Sequence, residues 1–82
     1  MPRYFFHLRG PDIHVPDPDG ADFADADEAW EAARRTARAL MRTEVEMEAE
    51  WLTCRFEILD EGGEIVFDLP FSEVLGDLDT QH

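Results

Sequence analysis

Along Phe6-His7-Leu8-Arg9, the end of the opening run Arg3-Tyr4-Phe5-Phe6-His7-Leu8-Arg9, and again along Ile13-His14-Val15, apolar and polar side chains alternate with a period of two. That is the pattern of strands with one buried face. Gly10-Pro11 between them predicts a hairpin. With a two-residue turn, Leu8 lies opposite Ile13 and Phe6 opposite Val15 on the core face. His7 then faces His14, and Arg9 faces Asp12, on the other. Directly opposed residues are the stabilising unit of an antiparallel pair, and a slip by one residue would carry His14 into the apolar set.

Asp17-Pro18-Asp19-Gly20 reads as a turn, because Pro presets φ, Asp bonds locally and Gly accepts positive φ. After it the period lengthens. Trp30, Ala33, Ala37, Leu40, Met41 and Val45 recur at helical spacing, which predicts a helix from Ala26, capped by Asp25 with Glu28 as the capping-box partner. Its end falls between Thr43 and Glu50, where Glu44, Glu46, Glu48 and Glu50 alternate with apolar residues and oppose the helix dipole. The end is placed near Glu46, with a loop to Trp51.

A second hairpin follows, with Thr53 to Leu59 and Glu64 to Leu69 flanking Asp60-Glu61-Gly62-Gly63. The expected register sets Ile58 against Ile65, Phe56 against Phe67 and Cys54 against Leu69. Leu59–Glu64, Glu57–Val66 and Arg55–Asp68 fall on the reverse face. Pro70, without a ladder donor, ends the strand. Phe71 to Leu75 adds a helical turn, and Gly76 to His82 reads as a frayed tail.

The order ββαββ places the chain in the α+β class, as one domain over residues 1–75. A lone hairpin is marginal in water, so the two are expected to join in a four-stranded antiparallel sheet, order 2-1-3-4 preferred, with the helix on one face. The other face then carries Phe5, His7, His14, Pro16, Leu59 and Val66 among Arg9, Arg55, Glu57 and Asp68. A mixed apolar face rimmed by charge marks an interaction surface.

Charge narrows the partners. Seven Arg and no Lys stand against twenty acids in 82 residues, a net charge of −13. Nucleic-acid affinity comes from neutralising phosphates, so direct binding of nucleic acid, or of an anionic membrane surface, is not expected. Solubility alone accounts for much of such a charge. A single cysteine, Cys54, fits a reducing compartment, and no stretch reads as a signal peptide or membrane span. A cytoplasmic location is the expectation.

Candidate chemistry is sparse. His7 and His14 are the best-placed metal ligands, but a stable zinc site wants three or four, so no metal is expected. Asp17-Pro18-Asp19-Gly20-Ala21-Asp22, with Glu28 twelfth from Asp17, only faintly follows a calcium loop, which also needs flanking helices. Cys54 has no basic neighbour to activate it, and Ser72 lies in no nucleophile turn. An enzyme and a cofactor are therefore not expected. Arg34, Arg38 and Arg42, spaced by four and joined by Arg35, form a basic stripe that is either a solvated face or a contact for an acidic partner, a second copy of the chain included.

The opening Arg3-Tyr4-Phe5-Phe6-His7-Leu8, the Asp17-Pro18-Asp19-Gly20 turn, the Ala- and Arg-rich helix and the closing Phe56-Glu57-Ile58 to Phe67-Asp68-Leu69-Pro70-Phe71 form one pattern from Arg3 to Val74. In it the chain resembles a bacterial domain-of-unknown-function family of short stand-alone proteins. It departs from that family's usual Asp-Gly at the first turn, having Gly10-Pro11. The resemblance implies no activity, cofactor or site residue. The functional expectation is thus a non-enzymatic interaction module, homodimeric through the outer sheet face or an edge strand, with an unidentified protein partner also open. The alternative is an acidic mimic of nucleic acid, built from Glu44 to Glu50 and the Asp12 to Asp27 cluster, that blocks a nucleic-acid-binding protein.

Overall fold

The computed structural model describes residues 2–43 and 48–79, with the backbone alone for Glu48, Ala49 and residues 76–79. The elements are β1 (Arg3–Arg9), β2 (His14–Val15), β3 (Ala21–Asp22), α1 (Ala26–Thr43), α2 (Glu48–Trp51), β4 (Arg55–Leu59), β5 (Ile65–Pro70) and α3 (Phe71–Asp79). The antiparallel sheet runs β2-β1-β4-β5, and β3 also pairs with β1. This is the expected α+β arrangement, enlarged by the short β3 and by helices α2 and α3.

Both hairpins pair two residues away from the expected register. Leu8 meets Val15 and Arg9 meets His14, not Ile13 and Asp12. Gly10 donates its N–H to the Ile13 carbonyl at 2.9 Å, so the turn spans four residues instead of two. A shift of two preserves the alternation of faces, but Ile13 and Val15, expected in the core, are 38 % and 50 % exposed at the sheet edge. In the second hairpin Phe56 meets Leu69, Ile58 meets Phe67, Glu57 meets Asp68 and Arg55 meets Pro70. A bulge then sets Leu59 against Ile65 and leaves Val66 unpaired in the ladder. The Asp60 carboxylate causes the wider turn, accepting the Gly62 and Glu64 N–H groups at 2.9 and 3.0 Å.

Between β2 and β3 the chain makes a five-residue excursion opposite three residues of β1. Asp17 holds it: its carboxylate accepts the Phe6 N–H at 3.2 Å and the Gly20 N–H at 3.1 Å, replacing the missing ladder acceptor. Gly20 has φ +67°, and an added Cβ would sit 2.7 Å from the Tyr4 carbonyl oxygen.

Helix α1 begins as its sequence dictates. Asp25 accepts the Glu28 N–H at 2.9 Å, and Glu28 reaches back to the Ala24 N–H at 3.3 Å. Ala29, Ala33 and Ala37 are fully buried, so the absence of bulk lets the helix lie close on the sheet. The described helix ends at Thr43; the expected end at Glu46, and Val45 of the stripe, lie outside the described residues. Where a loop to Trp51 was expected, Glu48–Trp51 forms a short helix.

That turn and α3 complete the core, which the alternation pattern had credited mainly to α1. Phe71 packs on Phe56 (ring centroids 5.1 Å) and on Trp51 (5.4 Å). Phe71 and Val74 are wholly buried with Ile58 and Leu69. The Phe71 N–H bonds the Cys54 carbonyl at 3.0 Å, locking the start of α3 to the start of β4. Cys54 therefore precedes the strand and does not pair with Leu69. Helix α3 runs to Asp79, taking in the first residues of the expected frayed tail, and residues 80–82 lie outside the description.

Candidate interaction surface

Helices α1, α2 and α3 contribute to one core with Tyr4, Phe56, Ile58 and Leu69. Among the described residues, the reverse face of the sheet receives no helix. Its side chains come from alternate positions of β1, β4 and β5, and the registers arrange them in rows. Phe5 lies opposite Leu59, which lies opposite Ile65. The next row is His7, Glu57 and Asp68, and the next is His14, Arg9, Arg55 and Pro70. Arg3 pairs with Asp22 at the far end, at 3.2 Å.

Glu57 is the hub of the polar rows. Arg9 bonds one carboxylate oxygen at 2.8 Å and Arg55 the other at 3.3 Å, while Arg55 also reaches Asp68 at 3.2 Å. Glu57 and Asp68 oppose each other directly, a like-charge pair that Arg55 bridges. Burial pushes the Glu57 carboxyl up, but the hydrogen bonds and charges of Arg9 and Arg55 outweigh it and hold the group below its ordinary value. The His7 and His14 rings stack at 6.1 Å, diagonal neighbours rather than a directly opposed pair. Among the described residues, no three His, Cys, Asp or Glu side chains are grouped to hold a metal ion.

The apolar row differs from its sequence expectation. Ile65, expected in the core against Ile58, is 56 % exposed beside Leu59, because the one-residue bulge reverses its face. Phe5 is half-buried with its ring against Gly20. Leu59 is half-buried and Val66 is exposed at the bulge. The exposed apolar centre is thus Ile65 and Val66 with Leu59, and Phe5 is partly a structural residue. Two isoleucines of similar spacing gave no signal for this; only the turn's extra length did.

Elsewhere, four of the acids that suggested a calcium loop or a mimic of nucleic acid, Asp17, Asp22, Asp25 and Glu28, are engaged within the chain. Asp17 bonds backbone N–H groups, Asp22 pairs with Arg3, and Asp25 caps α1. Glu44 and Glu46 lie outside the described residues. Cys54 is buried, and its thiol donates to the Glu50 carbonyl at 3.3 Å. Burial pushes this thiol above its ordinary value, with a Thr53 hydrogen bond opposing and the charge of Glu50 adding. It borders a cleft of about 180 Å³ that Pro11, Ile13 and Trp51 also line. On α1, Arg34 and Arg38 are half-buried and Arg42 is exposed. Arg34 bonds Glu31 at 3.0 Å and lies over the Trp30 ring at 5.1 Å. Among the described residues, no helix is long and apolar enough to cross a membrane.

No curated protein and no solved structure matches this chain. A family profile does, over residues 3–72, taking in β1 through the first residues of α3 and hence every row of the uncovered face. The chain belongs to the DUF6894 family, a domain of unknown function.

Proposed function

We propose that this chain is a non-enzymatic interaction module that self-associates through the uncovered sheet face. The observation that carries the reading is the balance of charge on that face. In a chain of net charge −13, Arg3, Arg9 and Arg55 are matched there by Asp22, Glu57 and Asp68. A second copy, equally acidic, meets no excess of negative charge at this surface, and the Leu59, Ile65 and Val66 side chains supply apolar area to bury. The chain measures 34 × 32 × 18 Å, so its broad face accommodates the about 800 Å² per partner of a standard interface. Oligomerisation also stabilises a domain this small.

Sedimentation velocity at about 1 M salt, where the screening length is about 3 Å, tests the reading. The wild-type chain is expected to form a two-copy species that grows with concentration. Ile65→Asp is expected to abolish it with folding stability changed by no more than about 0.5 kcal/mol, the range for exposed positions. A wild-type chain that stays single-copy at high concentration overturns the proposal.

A further inference from the structure

The helix layer on the opposite side of the slab carries a second pattern. Side chains three and four apart share a flank of a helix. On α1 one flank holds Asp27 and Glu31 in its N-terminal half and Arg34, Arg38 and Arg42 in its C-terminal half, with Arg35 at its border. Three arginines spaced by four repel one another. Among the described residues, no ion pair joins Arg35, Arg38 or Arg42 to any carboxylate, although twenty acids are present in the chain. The Arg38 Nε is buried with no hydrogen-bond partner there.

We propose that this flank is a self-complementary contact for α1 of a second copy, the two helices running antiparallel across a two-fold axis. Place the axis midway between Arg34 and Arg35. Asp27 of one copy then lies level with Arg42 of the other, and Glu31 lies level with Arg38. Both pairs share that midpoint, so one axis serves them both and each pair occurs twice, as an isologous contact requires. The same axis sets Arg34 level with Arg35 of the other copy, a like-charge pair that Arg34 eases by turning to its own Glu31 and the Trp30 ring. Asp27, Glu31, Arg35 and Arg42 are exposed and open to a partner.

The contact is independent of the uncovered sheet face, which lies on the other side of the slab. A chain using both forms assemblies larger than a pair. Salt separates the two: the sheet-face contact gains from screening of the net charge, whereas the α1 contact loses its ion pairs. At about 0.1 M salt the screening length of about 10 Å spares close pairs while damping distant repulsion.

The test uses the full chain carrying Ile65→Asp, so that only α1 remains. A two-copy species is expected at about 0.1 M salt, weakened about tenfold or more at about 1 M. In the same background, Arg38→Glu/Arg42→Glu and Asp27→Arg/Glu31→Arg are each expected to be single-copy, and their mixture is expected to regain the two-copy species. Circular dichroism checks that each is folded, and Arg38→Gln/Arg42→Gln replaces the first if it is not. A single-copy chain at both salts, a two-copy mass that survives the arginine reversal, or a folded mixture that fails to pair overturns the proposal. None of these outcomes bears on the sheet face, whose own test is the wild-type chain at high salt.

Discussion

The two hairpins depart from simple alternation in different ways. Between β2 and β3 the excursion adds two residues relative to β1, an even number. Val15 and Ala21 therefore both stay on the core side, opposite Leu8 and Tyr4. The bulge in β5 adds one, an odd number, and Ile65 crosses to the outer face beside Leu59. An even insertion preserves the binary pattern and an odd one inverts it beyond that point, because the side-chain period of a strand is two. The even insertion is invisible in the faces; the odd one creates the exposed apolar centre of the candidate surface.

The sharpest way to break the comparison is at the residue both hairpins share. Phe56 pairs with Leu8 on one side and Leu69 on the other and is 5 % exposed. Phe56→Ala is expected to cost about 3–5 kcal/mol in urea denaturation, enough to unfold most of the chain. A loss below about 1 kcal/mol would mean that the hairpins do not meet there.

The even insertion depends on Gly20 and Asp17. Gly20→Ala forces a side chain into left-handed backbone, about 1–2 kcal/mol, and against the Tyr4 carbonyl, about 1–3 kcal/mol more for overpacking. Asp17→Ala strips the acceptor from the Phe6 and Gly20 N–H groups and is expected to cost about 1–3 kcal/mol. Equilibrium denaturation measures both, and hydrogen exchange at Phe6 should quicken in the second. Unchanged exchange would remove Asp17 from its assigned role.

The smallest effect concerns the polar rows between the two insertions. Because the Glu57 carboxyl is held below its ordinary value of 4.5 in the folded chain, its contribution is complete above that pH and is lost as the pH falls through the lower folded value. Stability measured downward from pH 4.5 should therefore fall less steeply in Glu57→Gln than in the wild type. Parallel profiles would show that Arg9 and Arg55 do not favour the ionised form.

The sequence by itself determined the class, the antiparallel sheet with α1 on one face, the start of α1 and which residues of β1 and β4 face the core. These follow from local chemistry: an Asp cap with its Glu partner, alternation over Phe6 to Arg9, a helical stripe of small residues. The tertiary structure decided the registers, the face of Ile65 and the filling of the core by Trp51, Phe71 and Val74. Register depends on how many residues a turn consumes: the first turn draws in two more, closed by the Gly10 N–H, and the second draws in one more, held by Asp60, before the bulge adds another. Phe71, Val74 and Leu75 do carry an amphipathic spacing after Pro70, so α3 was legible in part. Its burial was not, because that depends on a Cys54 carbonyl 17 positions away accepting the Phe71 N–H. The charged residues of the outer face, Arg9, Arg55, Glu57 and Asp68, were legible from alternation, whereas their pairing was not: only the sheet brings Arg9 and Arg55 onto Glu57 and Arg55 onto Asp68.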